Sequence, residues 1–194
     1  MLNVPKETGE IFDKLSKGAF ISSNAVEPRI RKLYEVITKN QEALSDYFAH
    51  IDFILETGNE YYFFSRIEAK QSLENKIKSA YKWIDIYDFL MAYDLSFAPG
   101  FRFIVAQMVA SVDTNALLKS KIEGLRKHMM HEDKSKVAID TVVESMIRNL
   151  ENNDFIELES DVSKSYKVLA SFQYLENLIN LITIPQDVQY EIPQ

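Results

Sequence analysis

The stretch DFILETGNEYYFFSR, residues 52–66, decides how the rest of the chain is read. Phe53 and Leu55 fall on one side of a strand, Thr57-Gly58-Asn59-Glu60 has turn chemistry, and Tyr61 to Phe64 is a β-prone return strand. Working backwards, Leu44, Tyr47, Phe48 and Ile51 mark the apolar stripe of one helix. Ile30, Leu33, Tyr34 and Ile37 mark an earlier one, with Pro28 in its first turn and Asn40 near its end. Further upstream, Glu7 to Lys17 reads as a short helix stopped at Gly18. Phe20 and Ile21 form a short extended piece, and Ser22, Ser23 and Asn24 offer caps for the helix that begins near Pro28.

Helix, helix and hairpin is how a winged helix ends, with the hairpin as wing. The order recurs downstream. Residues 71–95 read as a long amphipathic helix with the stripe Leu73, Ile77, Tyr81, Ile84 and Met91, ended by Pro99-Gly100. Phe101 to Val112 reads as another apolar helical segment. Asp113 is placed to cap a helix reaching Arg126, with Leu117, Leu118 and Ile122 inside, before the polar loop HMMHEDKSK. Lys136 to Asn152 has the clearest helical spacing, through Ile139, Val143, Met146 and Leu150. Phe155–Leu158 and Tyr166–Leu169 read as a second hairpin around the polar turn 159–164, and Leu175–Ile182 as a closing helix. The expected fold is mainly α with small β-hairpins, arranged as tandem winged-helix domains. Residues 1–70 would form the N-terminal domain, 71–184 the connecting helix and C-terminal domain, and 185–194 a polar tail. The two copies share architecture without obvious sequence identity.

Composition narrows the function. Of 194 residues 46% are hydrophobic, with five Gly and five Pro, so there is apolar material for cores and little linker sequence. The net charge is −7, and it is shared: twelve basic and fifteen acidic side chains in residues 1–98, ten and fourteen in 99–194. Neither half is a basic module, so autonomous DNA binding is opposed by phosphate repulsion. The absence of cysteine removes disulfides, thiol catalysis and thiolate metal sites. MLNVPKETGEIF has no basic-then-apolar signal pattern, and no apolar run approaches ~20 residues, so the cytoplasm is expected and no membrane contact.

Two long stretches resemble the MukE/MksE family, the kleisin-interacting tandem winged-helix subunits of bacterial condensin-type complexes. One is LSKGAFISSNAVEPRIRKLYEVITKNQEALSDYFAHIDFILETGNEYYFFSRIE, with its Gly18-x-x-Ile21 opening, two helices and aromatic wing ending in Ser65-Arg66. The other is VAIDTVVESMIRNLENNDFIELESDVSKSYKVLASFQYLENL, with a helix, a wing and the exit Phe172-Gln173-Tyr174. The resemblance covers about residues 12–182. It implies a non-catalytic accessory subunit that dimerises, binds a MukF- or MksF-like kleisin and, through it, an SMC-type ATPase. It would be nucleoid-associated, serving chromosome condensation and segregation or plasmid defence. No cofactor is implied.

Charge and aromatic placement single out candidate contact residues. Opposite Ile139 and Val143 the helix carries Asp140, Thr141, Glu144, Ser145, Arg148 and Glu151, and opposite Leu44 and Phe48 stand Glu42, Ser45 and Asp46. Acids there oppose major-groove readout. Arg29, Arg31 and Lys32, Lys134 and Lys136, and Lys164 and Lys167 form basic groups. They fit weak DNA-backbone contact inside an assembly, against the commoner case of a solvated charged face, which the pattern favours. In Tyr61–Phe64 both sides of the strand are aromatic. Tyr62 and Phe64 are candidates for a kleisin or dimer contact, against packing on the long helix with Trp83. His128 and His131 with Glu132 and Asp133 lack a fixed third metal ligand and read as surface, while His50 is placed to meet helix C-terminal carbonyls. There is no phosphate loop, G-x-S-x-G or nucleophile–base set. The competing reading is a stand-alone tandem winged-helix DNA-binding regulator or replication initiator.

Overall fold

Two three-stranded antiparallel sheets of matching strand order organise the chain, which a computed structural model describes over residues 4–65, 73–129 and 137–182. The first half runs α1 (Thr8–Leu15), β1 (Ile21–Ser22), α2 (Pro28–Lys39), α3 (Gln41–Ala49), β2 (Ile54–Gly58) and β3 (Tyr61–Ser65), with strands ordered β1-β3-β2. The second runs α4 (Leu73–Tyr93), β4 (Arg102–Ile104), α5 (Val105–Thr114), α6 (Ala116–Met129), α7 (Ile139–Asn152), β5 (Ile156–Ser160), β6 (Ser165–Val168) and α8 (Phe172–Ile182), with strands ordered β4-β6-β5. The chain is mainly helical with small hairpins, as its periodicities predict. Among the described residues no helix is long and apolar enough to cross a membrane.

Local chemistry explains the boundaries. Gly18 takes φ +82° after α1, a conformation that costs a side chain-bearing residue strain, and Pro28 occupies the first turn of α2. Ile11, Leu15, Leu33, Ile37, Leu44 and Phe48 close a first core with Leu55 and Tyr62 of the hairpin. Each such side chain contributes roughly 1.5–3 kcal/mol on leaving water. The second core joins α4, α6, α7 and α8 through Ile86, Leu90, Ile122, Val143, Met146, Leu150 and Phe172.

The cores meet on β3. Its register sets Tyr62 and Phe64 on one face and Tyr61 and Phe63 on the other. Tyr62 and Phe64 belong with the first core, where the Phe64 ring lies 4.8 Å from that of Phe48. Tyr61 and Phe63 meet Phe20 at ring distances of 5.7 and 5.6 Å, and Phe63 meets Tyr174 of α8 at 5.1 Å. Phe20 in turn contacts Phe155 and Tyr174. Both faces of the aromatic strand are therefore covered within the chain. Their ring neighbours are Phe20 and Tyr174 of α8, and Tyr61 shares the second core with Trp83 of the long helix.

Several sequence expectations need correction. Phe101–Val112 is not one helix: Arg102–Ile104 is a strand pairing with Ser165–Lys167, and α5 begins at Val105. The alternation Phe101-Arg102-Phe103-Ile104 carries the strand period, and the apolar helix behind it hides it. Asp113 does not cap α6. It lies in the last turn of α5, and Asn115, in extended conformation, accepts the N–H groups of Leu117 and Leu118. On α4 the buried face is Trp83, Ile86, Phe89 and Leu90, while Tyr81 is 59% exposed. That helix is apolar on two sides, and packing against α6 and α8 selects one.

Candidate functional site

The richest constellation of polar side chains lies where the two halves meet. Ser22, Ser23 and Asn24 do not cap α2, whose N-terminus receives no side-chain cap from its own segment. Asn24 instead reaches the second half, its amide donating to the Val168 carbonyl (3.1 Å) and its Oδ1 accepting the Ala170 N–H (2.8 Å). The Ser171 N–H donates to Ser22 Oγ. Glu157 on β5 accepts the N–H groups of Val26 (2.6 Å) and Glu27 (2.9 Å), placing a carboxylate at the positive end of α2. Asp154 accepts the Phe20 N–H (3.1 Å) and pairs with Lys14 (3.3 Å). A cleft of about 130 Å³ at this seam is lined partly by Lys14, Ser22, Glu27, Glu151, Asp154 and Glu157.

Two of the basic candidates converge on the same loop. Arg31 donates to the carbonyls of Ala25 (2.6 Å) and Val26 (2.7 Å), and Lys167 to that of Asn24 (2.6 Å). Three consecutive carbonyls are thus held by cations. Arg29 forms a forked pair with Glu10, and Lys164 pairs with Asp161 across the second hairpin turn. Those contacts, chiefly the side-chain hydrogen bonds, hold the Glu10 and Asp161 carboxyls below their usual range. Arg102 does the same to Glu159. Lys32 is exposed. Lys134 and Lys136 lie outside the described residues, as do His131, Glu132 and Asp133. Of the partner-contact candidates, Tyr62 is 4% exposed and its ring lies 5.2 Å from that of Tyr34, while Phe64 is half-buried among Phe12, Phe48 and Phe53.

The helices preceding the hairpins turn acids outward. Asp140 and Glu144 on α7 and Glu42 and Asp46 on α3 are exposed, with Arg148 the one exposed cation on these faces among the described residues. Between α7 and the second hairpin a cleft of about 330 Å³ is lined by Val105, Glu144, Ile147, Arg148, Lys164 and Tyr166. His50 ends α3 as expected, its Nδ1 2.6 Å from the Asp46 carbonyl oxygen. Among the described residues no group of three or more His, Cys, Asp or Glu is placed to hold a metal ion. The seam was missed from sequence because its polar residues look like ordinary local caps.

The family model of the condensin complex protein MksE matches residues 6–179. No curated protein matches the chain. The family match runs through both halves, from the turn before α1 into α8, and includes the seam that joins them. The chain belongs to the MksE family of condensin complex proteins.

Proposed function

We propose that the protein is a non-catalytic accessory subunit that binds the kleisin of a bacterial SMC complex. Through the kleisin it joins a long coiled-coil ATPase in the cytoplasm, at the nucleoid, as a homodimer. The role is chromosome condensation and segregation, or defence against plasmids. In this reading residues 1–70 and 71–184 are two winged-helix domains, followed by the tail 185–194. The observation that carries it is the family match over both halves. The outward acids of α3 and α7 support it, since they disfavour base reading by the helices that a DNA-binding winged helix would insert.

DNA contact in this reading is weak, sequence-independent and made within the assembly, with Lys134 and Lys136 among its candidates. Affinity capture of the protein from its native host, with partners identified by mass spectrometry, tests the proposal. Recovery of a kleisin and a coiled-coil ATPase is the expected result. Recovery of neither, with tight DNA binding by the lone protein at physiological salt, would replace it with a stand-alone regulator or initiator. Lys134→Glu with Lys136→Glu should weaken DNA association of the assembled complex and leave folding intact.

A further inference from the structure

Large apolar side chains are exposed at scattered points of the described surface, but three of them fall between residues 47 and 54: Tyr47 (36%), Ile51 (44%) and Ile54 (46%). Helical turns continue past α3 through the Ile51 N–H to the Phe48 carbonyl (3.1 Å) and the Asp52 N–H to that of Ala49 (3.2 Å). Tyr47 and Ile51 therefore lie four apart on one side of the same helical run. Ile54 opens β2 directly after it, on the strand side opposite the buried Leu55. The first core has no need of these side chains, because Leu44 and Phe48 already fill it at 0% exposure.

The formal charges of the segment that carries them, between Lys39 and Arg66, have one sign. Residues 40–65 contain Glu42, Asp46, Asp52, Glu56 and Glu60 and no Lys or Arg. Glu42, Asp46, Asp52 and Glu60 are exposed. Among the described residues none of these four pairs with a cation. Such a face repels phosphate. In a two-fold self-association it would set acid against acid. Its complement is a segment with apolar side chains at helical spacing flanked by positive charge.

We propose that the outer face of α3 and the start of β2 dock a basic amphipathic helix of a protein partner. Tyr47, Ile51 and Ile54 receive its apolar side chains, and Glu42, Asp46 and Asp52 receive its Lys or Arg. The proposal is independent of whether the protein joins a kleisin, so each can fail alone.

The probe is a synthetic amphipathic helical peptide of leucine and lysine, compared with its leucine–glutamate counterpart. Binding is read by fluorescence anisotropy and by amide shift mapping on the full chain. The lysine peptide should bind, with shifts centred on residues 42–54, and the glutamate peptide should not. Ile51→Ser with Ile54→Ser, both exposed and so compatible with folding, should weaken binding about tenfold. Glu42→Lys with Asp46→Lys should do the same. Asp140→Lys with Glu144→Lys, an equal change of net charge on α7, should leave the affinity in place. Equal weakening by the α7 pair would reduce the effect to net charge and overturn the proposal. So would binding of the glutamate peptide, competition by a DNA duplex at residues 42–54, or conversion of a dimer to a monomer by the serine pair.

Discussion

Glu157 and Val26 stand 131 residues apart in sequence, yet the carboxylate of the first accepts the backbone N–H of the second at 2.6 Å, and that of Glu27 at 2.9 Å. One side chain of the second hairpin thereby satisfies two donors at the start of a helix in the other half. Glu157→Ala removes both acceptors, and a loss of about 1.5–3 kcal/mol is expected. Glu157→Gln keeps one carbonyl oxygen and should cost less. Urea denaturation followed by circular dichroism distinguishes the two; an alanine variant as stable as the parent would mean that water replaces the carboxylate without loss.

Phe20 is the apolar counterpart of that contact. It is 7% exposed and touches Tyr61 and Phe63 on one side, Phe155 and Tyr174 on the other. Phe20→Ala should lower stability by about 3–5 kcal/mol. In the parent protein, fluorescence of Trp83 and helical dichroism should report one coincident unfolding transition, because the second core includes Phe20 and Tyr61 of the first half. Transitions that separate in the parent would show that the halves melt independently.

Asn115 stands between α5 and α6 and takes two N–H groups on its side-chain oxygen. Asn115→Ala should cost about 1 kcal/mol, as for other lost N-caps. Asp113→Ala, within α5, should stay within about 0.5 kcal/mol of the parent. Thermal melts of the two variants side by side decide which residue caps.

Burial pushes the Glu176 carboxyl above its ordinary value of 4.5. A raised folded-state pKa means that the folded protein holds its proton more tightly than the unfolded chain, so stability falls as pH rises through this range. The deficit is complete above the folded-state value and absent once the pH drops below the unfolded one. Glu176→Gln should therefore raise the melting temperature at pH 7, and the gain should vanish in acid. A gain that persists unchanged at low pH would assign the effect to packing instead.

Most of the fold is written in short-range patterns. Ile139, Val143, Met146 and Leu150 announce α7, and all but the half-buried Ile139 are fully buried. Thr57–Glu60 between two β-prone runs announces the first hairpin, and Gly18 the end of α1. What the patterns hide has physical reasons. Arg102–Ile104 is too short for its alternation to stand out beside an apolar helix. On α4 two apolar sides are available, and only the neighbours choose between Tyr81 and Trp83.

The seam was the least legible feature. Ser22 and Asn24 have the chemistry of local helix caps, and nothing in the local sequence says that their partners are Ser171, Val168 and Ala170. The basic candidates show the same limit. Arg31 and Lys167 read as free surface charge, while each donates to main-chain carbonyls between Asn24 and Val26. Spacing identifies a cation but not its acceptor when that acceptor is a main-chain carbonyl, whether in the preceding loop, as for Arg31, or in the other half of the chain, as for Lys167.

The double-sided burial of Tyr61–Phe64 bears on how the molecule can be dissected. A fragment ending after the first hairpin would keep its own fold-defining residues yet carry a bare aromatic wall, with Phe20, Tyr61 and Phe63 facing water where Tyr174 once lay. Such a fragment would be expected to stick to itself or to any apolar surface offered, and binding experiments on it would report that wall rather than the native exterior. The unit that can be cut out, fused or transplanted is accordingly the pair of halves with α8 attached.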